Sequence, residues 1–305
     1  MIGRCTEMNR SKHMKRKYTF MGVLFLMPAI GLYLLFMAYP LADVIPLSLS
    51  SWTGFGERKF VGLVNYQNLL GDKIFFRALK NTIYFAFFSS IISVALGVML
   101  AWLNLYIRRF LGNVCRTILF APNMIAPTIT GLMFLFIFTE DIGLLNGILE
   151  AIGLGKLQTA WLVNSKTVLP SIVAVTVWRQ FGLPMVLCFA GLQNIPAALI
   201  ESAYLDGANN RQILFRIYLP LIKPMIELST MFTMLGGLKI YDTVVALTGG
   251  GPSKLTVVMP MWIVENAYAY TSFGYASALS VVFVIVVFIF LIILNRVFRG
   301  EEYEY

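Results

Sequence analysis

Six long apolar stretches, at about 20–39, 82–103, 118–138, 168–189, 225–247 and 273–295, constrain this sequence more than any other feature. At about 1.5 Å of rise per residue, a helix of about 20 residues covers the ~30 Å hydrocarbon core of a bilayer. Lipid offers no hydrogen bonds, so a spanning segment must satisfy its own backbone, as a helix does. The stretches are solid blocks rather than stripes with a helical or alternating period, which leaves lipid on most sides of each helix. Charged residues make up 13% of the chain and apolar ones 58%, too few charges to cover a water-soluble fold of this length. The sequence therefore predicts an all-α integral membrane protein with six transmembrane helices in one domain over 18–300. A basic tail, 1–17, precedes it and a short tail, 301–305, follows.

The net charge of +9 raises the question of nucleic acid, but the basic residues form no patch interleaved with stacking aromatics. They lie between the apolar stretches. Arg4, Arg10, Lys12, Lys15, Arg16 and Lys17 precede the first. With the segments 104–117 and 190–224 and the C-terminal tail, that side of the membrane collects 14 Lys and Arg residues, against 8 in the other three connections. The positive-inside rule then puts both termini in the cytoplasm, with no nucleic-acid partner. The N-terminal charges followed by an apolar run resemble a signal peptide. That run is long enough to span, however, and no small-x-small site follows it, so an uncleaved first span is expected. The segment 41–79 falls outside the cell in this scheme, with 60–70 amphipathic at the interface.

Cys5, Cys115 and Cys188 are odd in number and have neither CxxC nor metal-ligand spacing, which argues against a disulfide framework or a metal site. His13 is the one histidine and sits in the basic tail. HExxH and GxSxG are absent, so no catalytic residue is assigned. Gly249-Gly250-Gly251-Pro252-Ser253-Lys254 could cradle a phosphate but lacks GxxxxGK[ST], and it reads instead as a tight extracellular turn.

The connection 194–224 is too structured to be a plain linker. Asn194 is placed to cap a short helix with Pro196 in its first turn. Asp206-Gly207 breaks the helix, where glycine permits a positive φ, and Pro220 and Pro224 stop a second one. Its residues Glu201-Ser202-Ala203-Tyr204-Leu205-Asp206-Gly207-Ala208, then Ile217-Tyr218-Leu219-Pro220 and Pro224, resemble the cytoplasmic EAA loop of binding-protein-dependent ABC permeases. Ser202 departs from that pattern, which usually has alanine there. The resemblance runs along nearly the whole chain and is nearest the maltose and glycerol-phosphate permease type. It includes Phe60-Val-Gly-Leu-Val-Asn65-Tyr66, Leu79-Lys-Asn81-Thr82 and Gly143 with Asn146 and Leu149. Leu192-Gln193-Asn-Ile-Pro196, Lys239-Ile-Tyr-Asp242 and Leu247-Thr-Gly249-Gly-Gly-Pro252 complete it.

The resemblance implies a type I-like importer permease fold and a sugar as substrate, with a glycerol-phosphate-like solute as the alternative. It implies a second permease subunit forming a heterodimer, two separate ATPase subunits that carry ATP and magnesium, and an extracellular solute-binding protein. This chain itself would hold no cofactor. Glu201, Ser202, Ala203, Asp206, Gly207, Ala208, Phe215, Leu219 and Pro220 would dock on the ATPase.

Charges inside a span are costly and mark a cavity or a partner. Arg179, between Trp178 and Gln180 in the fourth stretch, suits either a sugar-lined path or a structural pair with the sister subunit. Lys239 and Asp242, three apart in the fifth stretch, are expected to pair on one helical face. Asn123, Thr128 and Thr130 could line the same path. A secondary transporter would show inverted repeats and acidic or histidine relays, neither of which is visible here.

Overall fold

The structure is a computed structural model and describes residues 25–298. The tail 1–17 with Cys5 and His13, the start of the first stretch, and the tail 301–305 lie outside the described residues. The helices are α1 (Phe25–Ser48), α2 (Val64–Gly71), α3 (Lys73–Asn104), α4 (Arg109–Phe120), α5 (Pro127–Ile137), α6 (Leu144–Ala151), α7 (Val168–Gln180) and α8 (Gly182–Gln193). Then follow α9 (Ala197–Leu205), α10 (210–221), α11 (Lys223–Leu238), α12 (Asp242–Thr248), α13 (Met259–Val264) and α14 (Phe273–Phe298). The described strands are β1 (Ser50–Ser51) and β2 (Lys59–Phe60), paired antiparallel.

Among the described residues three helices, α1, α3 and α14, are long and apolar enough to cross a membrane, and the number rises to five if each of two bent pairs is one span. The third, fourth and fifth apolar stretches are not single helices. The third breaks at the 3-10 turn Ala121–Met124 and bends by 97° into α5. The fourth bends by 43° between α7 and α8. The fifth ends at Leu238 after 16 residues and resumes at Asp242. Proline explains two of these breaks. Its missing N–H costs least in a helix's first turn, and Pro127 opens α5 while Pro184 lies in the first turn of α8.

The first span differs in the other direction, running to Ser48 rather than 39. A π-helical turn, Leu34–Ala38, sits directly before the Tyr39-Pro40 pair, so the wider turn absorbs the proline. The segment expected outside the cell is correspondingly shorter, and its 60–70 portion divides into β2 and α2.

α3 is the central post. It packs on α11, α8 and α7, and α14 packs on α1. Asp72 caps α3, its Oδ1 accepting from the N–H groups of Ile74 and Phe75 at 2.8 and 3.2 Å. Its Oδ2 accepts from Trp262 Nε1 at 2.9 Å and Tyr275 Oη at 2.8 Å, so one carboxylate ties α3 to α13 and α14. Helices cross closely where side chains are small. A Cβ added at Gly237 of α11 would lie 2.5 Å from Ala86 Cα on α3, and one at Gly97 would lie 2.5 Å from Pro184 Cβ. Neither backbone can yield that much locally. Gly237→Val is therefore expected to destabilise the bundle by about 1–3 kcal/mol through overpacking. The check is the amount of monodisperse protein extracted from membranes, which should fall severalfold; an unchanged yield would mean that α3 and α11 do not meet here.

Candidate functional site

The connection between α8 and α11 forms two short helical arms. The first is α9. Its end is a Schellman motif: the N–H of Gly207 donates to Tyr204 O at 3.0 Å and that of Ala208 to Ala203 O at 2.9 Å. That geometry needs a left-handed residue, and Gly207 has φ +82° with open space where a Cβ would go. The second arm, α10, starts with a capping box: Asn209 Oδ1 accepts from Gln212 N–H while Gln212 Oε1 accepts from Asn209 N–H. An Asn followed three residues later by Gln is the sequence signal for it. α10 then widens into a π-turn, Leu214–Tyr218, just before Leu219-Pro220. Pro220 thus sits inside the last turn, and the helix stops one residue later. Asn194 does not cap α9; it closes α8, and Pro196 takes the cap position. Pro224 opens α11 rather than ending α10.

Tyr204 Oη donates to Asn210 Oδ1 at 2.8 Å, bracing the arms across the turn, and Ser202 Oγ donates to Ala198 O within α9. Burial pushes the Tyr218 phenol above the usual tyrosine range, with the charges of Tyr106 and Tyr204 adding to it. The three tyrosines therefore lie together, propping the arms against the residues that follow α3. The tip is uncovered: Leu205 is 89% exposed and Phe215 65%, and Glu201, Asp206 and Ala203 lie on or beside the same surface. The two arms thus end in a braced, exposed and partly apolar tip.

The second region lies where the three broken stretches converge. A Cβ on Gly182 would lie 2.8 Å from Leu119 O, so the α7–α8 bend sits on the end of α4 beside the turn that holds Asn123. Gln180 lies against Gly236, where an added Cβ would be 2.9 Å from Gln180 Nε2. Gly236 lies in the last turn of α11, beside the break that Lys239 opens and Asp242 closes. The structure thus brings Asn123, Arg179, Gln180, Lys239 and Asp242 to three adjoining helix ends. Lys239 and Asp242 do not pair with each other. Three non-helical residues separate α11 from α12, and the ion pairs among the described residues are Arg58–Asp43 and Lys254–Glu265.

Polar groups at this convergence remain unused: Arg179 Nε and the buried Gln180 Oε1 have no hydrogen-bond partner among the described residues. Thr130 Oγ1 on α5 is likewise unpartnered, whereas Thr176 and Thr230 bond the carbonyl one turn back. Trp178 turns away from its neighbour. Its ring packs on Phe134 at 5.2 Å and borders an apolar cavity of about 450 Å³ with Tyr84, Phe88 and Phe181.

The asparagines quoted for the resemblance act as backbone staples. Asn65 Nδ2 donates to the carbonyls of Ser48 and Ser50, and Asn81 Nδ2 to those of Leu255 and Val257, all between 2.8 and 3.0 Å. Asn146 Nδ2 donates to Glu140 O and Thr159 O while its Oδ1 accepts from Trp161 Nε1. Each holds a non-helical strand of chain that cannot satisfy itself. The glycine-rich stretch is a turn, with Gly249 and Gly250 at φ +55° and +84°. Its Lys254 is engaged by Glu265 and held away from any phosphate-cradling role.

Residues 93–300 match the family described as "Binding-protein-dependent transport system inner membrane component". The "Probable ABC transporter permease protein YurN" of Bacillus subtilis is 35% identical over 283 residues, covering 92% of this chain and 96% of that one. The "Lactose transport system permease protein LacF" of Rhizobium radiobacter is 33% identical, over 90% and 92% of the two chains. The "Arabinooligosaccharides transport system permease protein AraP" of Bacillus subtilis is 30% identical, over 91% and 89%. Among solved structures, a bacterial ABC transporter involved in import of the acidic polysaccharide alginate superposes with a TM-score of 0.81 over 94% of this chain and 97% of that one. At 22% identity it speaks for the fold.

Proposed function

The chain belongs to the family of binding-protein-dependent transport system inner membrane components, and from that premise we propose that it is the permease subunit of an ATP-driven sugar importer. It is a multi-pass protein of the inner membrane and a transport component rather than an enzyme. The relatives named for lactose and arabinooligosaccharides support a sugar as its cargo. One observation carries the mechanism: the rigid, exposed tip of α9 and α10 hangs directly from α8, whose far end adjoins the Arg179–Gln180 break.

In this reading the tip, with Glu201, Ser202, Ala203, Asp206, Gly207, Ala208, Phe215, Leu219 and Pro220, docks on a separate ATPase. The helix ends carrying Asn123, Arg179, Gln180, Lys239 and Asp242 form half of the sugar path. A sister permease supplies the other half, and an extracellular binding protein delivers the sugar. Discontinuous helices are well suited to this, because their ends offer unspent donors and acceptors to a polar solute inside the membrane. An ATPase can bias the gate only through contacts that differ between its states, and a stiff arm transmits such differences.

The direct test reconstitutes the chain with its sister, ATPase and binding protein in proteoliposomes. Labelled oligosaccharide should accumulate only with ATP inside the ATPase compartment and binding protein on the opposite face. Uptake driven by an ion gradient without ATP would overturn the proposal. The same reading places six spans with both ends in the cytoplasm. With the native cysteines replaced by serine, Ser253→Cys and Arg211→Cys should label with an impermeant maleimide from opposite sides. Labelling of both from one side would refute that topology.

A further inference from the structure

The end of α3, the start of α4 and the end of α8 enclose a cavity of about 390 Å³, lined by Asn104, Arg109, Asn113, Arg116, Phe189 and Gln193 among others. No carboxylate lines it. The ion pairs among the described residues lie elsewhere, so neither arginine has an acidic partner. The Arg116 guanidinium sits 3.8 Å above the Phe189 ring and donates to Asn113 Oδ1, which holds it in place without neutralising it. Asn104, 5% exposed, spends its Nδ2 on Gly112 O and leaves Oδ1 with no donor. Two cations without acidic partners, one of them held over an aromatic ring, together with the amides of Asn113 and Gln193, describe a site for an anion.

The other face of the same helix tells where that anion comes from. Arg109, Gly112, Asn113 and Arg116 follow the i, i+3, i+4, i+7 spacing and face the cavity. Phe110, Val114 and Ile118 follow the opposite stripe and are 77%, 40% and 65% exposed. α4 therefore presents an apolar face to acyl chains and an arginine face where headgroups lie. Basic pockets between membrane helices select acidic lipid headgroups on these terms.

We propose that this cavity binds the phosphodiester headgroup of an acidic phospholipid such as phosphatidylglycerol, with Arg109 and Arg116 on the phosphate. Gln193, which closes α8 four residues before α9 begins, lines the same cavity. The bound lipid would thereby brace the root of the arm assigned above to ATPase docking. That last consequence rests on the proposed function; the binding does not.

The test uses the full chain, purified in detergent and delipidated, with bound lipid counted by native mass spectrometry and no transport measured. One phosphatidylglycerol per chain should be retained in preference to phosphatidylcholine. Each arginine replaced should weaken retention about fivefold, so Arg109→Gln with Arg116→Gln should lower it about 25-fold. The paired lysine variant should keep most of it, and Lys156→Gln, on a distant loop, should change nothing. If the double variant does not fold, Arg109→Gln alone carries the test with its fivefold loss. Equal retention of the two lipids, or retention unchanged by Arg109→Gln, overturns the proposal. Displacement of the lipid by soluble glycerol phosphate at equal concentration would assign the site to a free organophosphate and overturn the lipid assignment.

Discussion

Gly207→Asp is expected to abolish sugar transport and the transport-linked part of ATP hydrolysis while leaving the membrane helices in place. Two effects combine. At φ +82° any side chain strains the turn, by about 1 kcal/mol or more. The turn is held by the bonds from Gly207 and Ala208 back to Tyr204 and Ala203, so the strain falls on the angle between α9 and α10. The second effect is larger. The new carboxylate would project into space that is empty in the isolated chain and, in the proposed function, filled by the ATPase surface. It would also stand beside Asp206, and a docking surface that meets a buried unpaired charge loses several kcal/mol. Gly207→Asn isolates the charge, because asparagine matches aspartate in bulk and in its tolerance of the left-handed conformation. It should retain partial transport. The measurement is uptake and ATPase activity together in the reconstituted complex. Normal coupled transport by Gly207→Asp would mean that this turn is not the contact.

The apolar stretches coincide with helical regions but were read as continuous where three of them break. Hydropathy averages over a window, and two short helices end to end have the same average as one span. The local signals for the breaks were present in Pro127 and Pro184 at new first turns, and in Gly236-Gly237 followed by Lys239. What hydropathy could not carry is that these breaks lie against one another, since that depends on α3 packing between α8 and α11 through Gly97 and Gly237. The arms of 194–224 were legible because their chemistry is local. A Gly at the helix end and an Asn–Gln capping box depend on neighbours in sequence. Asn194 was misplaced for the same reason in reverse, because α8 continues past the apolar stretch to Gln193 and takes Asn194 as its own end.

The motif asparagines show a related limit. Asn65, Asn81 and Asn146 pointed to a family, and a family motif invites a functional reading. In the fold each one bonds two backbone carbonyls or a carbonyl pair and an indole, holding irregular chain beside the helices. Their positions carry the scaffold, whereas Arg179 Nε and Gln180 Oε1 are buried with no hydrogen-bond partner among the described residues. A buried polar group that its own fold leaves unsatisfied is costly, so it points outward to something the chain alone does not contain.

That reasoning gives the second large effect, at Arg179. Arg179→Gln should lower sugar uptake at least tenfold while the chain still assembles with its sister and its ATPase. Among the described residues the guanidinium has Nε unpartnered and no carboxylate within ion-pairing distance. Gln keeps a polar head of shorter reach and removes the fixed fork of donors, so a solute that loses one hydrogen bond to the cation loses about 1.5–3 kcal/mol. That is a factor of roughly ten or more in binding. The competing role for Arg179 is structural, pairing with a carboxylate or helix end of the sister subunit, and it makes a different forecast. A charge pair across a subunit contact, once broken, leaves the partner's charge buried and costs assembly first. Size-exclusion chromatography of the complex, run beside uptake, distinguishes them. Intact assembly with lost uptake assigns Arg179 to the path, and dissociated subunits assign it to the interface. Arg179→Lys sharpens the distinction, since a point charge can replace Arg in an ion pair more readily than in a forked grip on sugar hydroxyls. In the path reading, Arg179→Lys should transport nearly as poorly as Arg179→Gln.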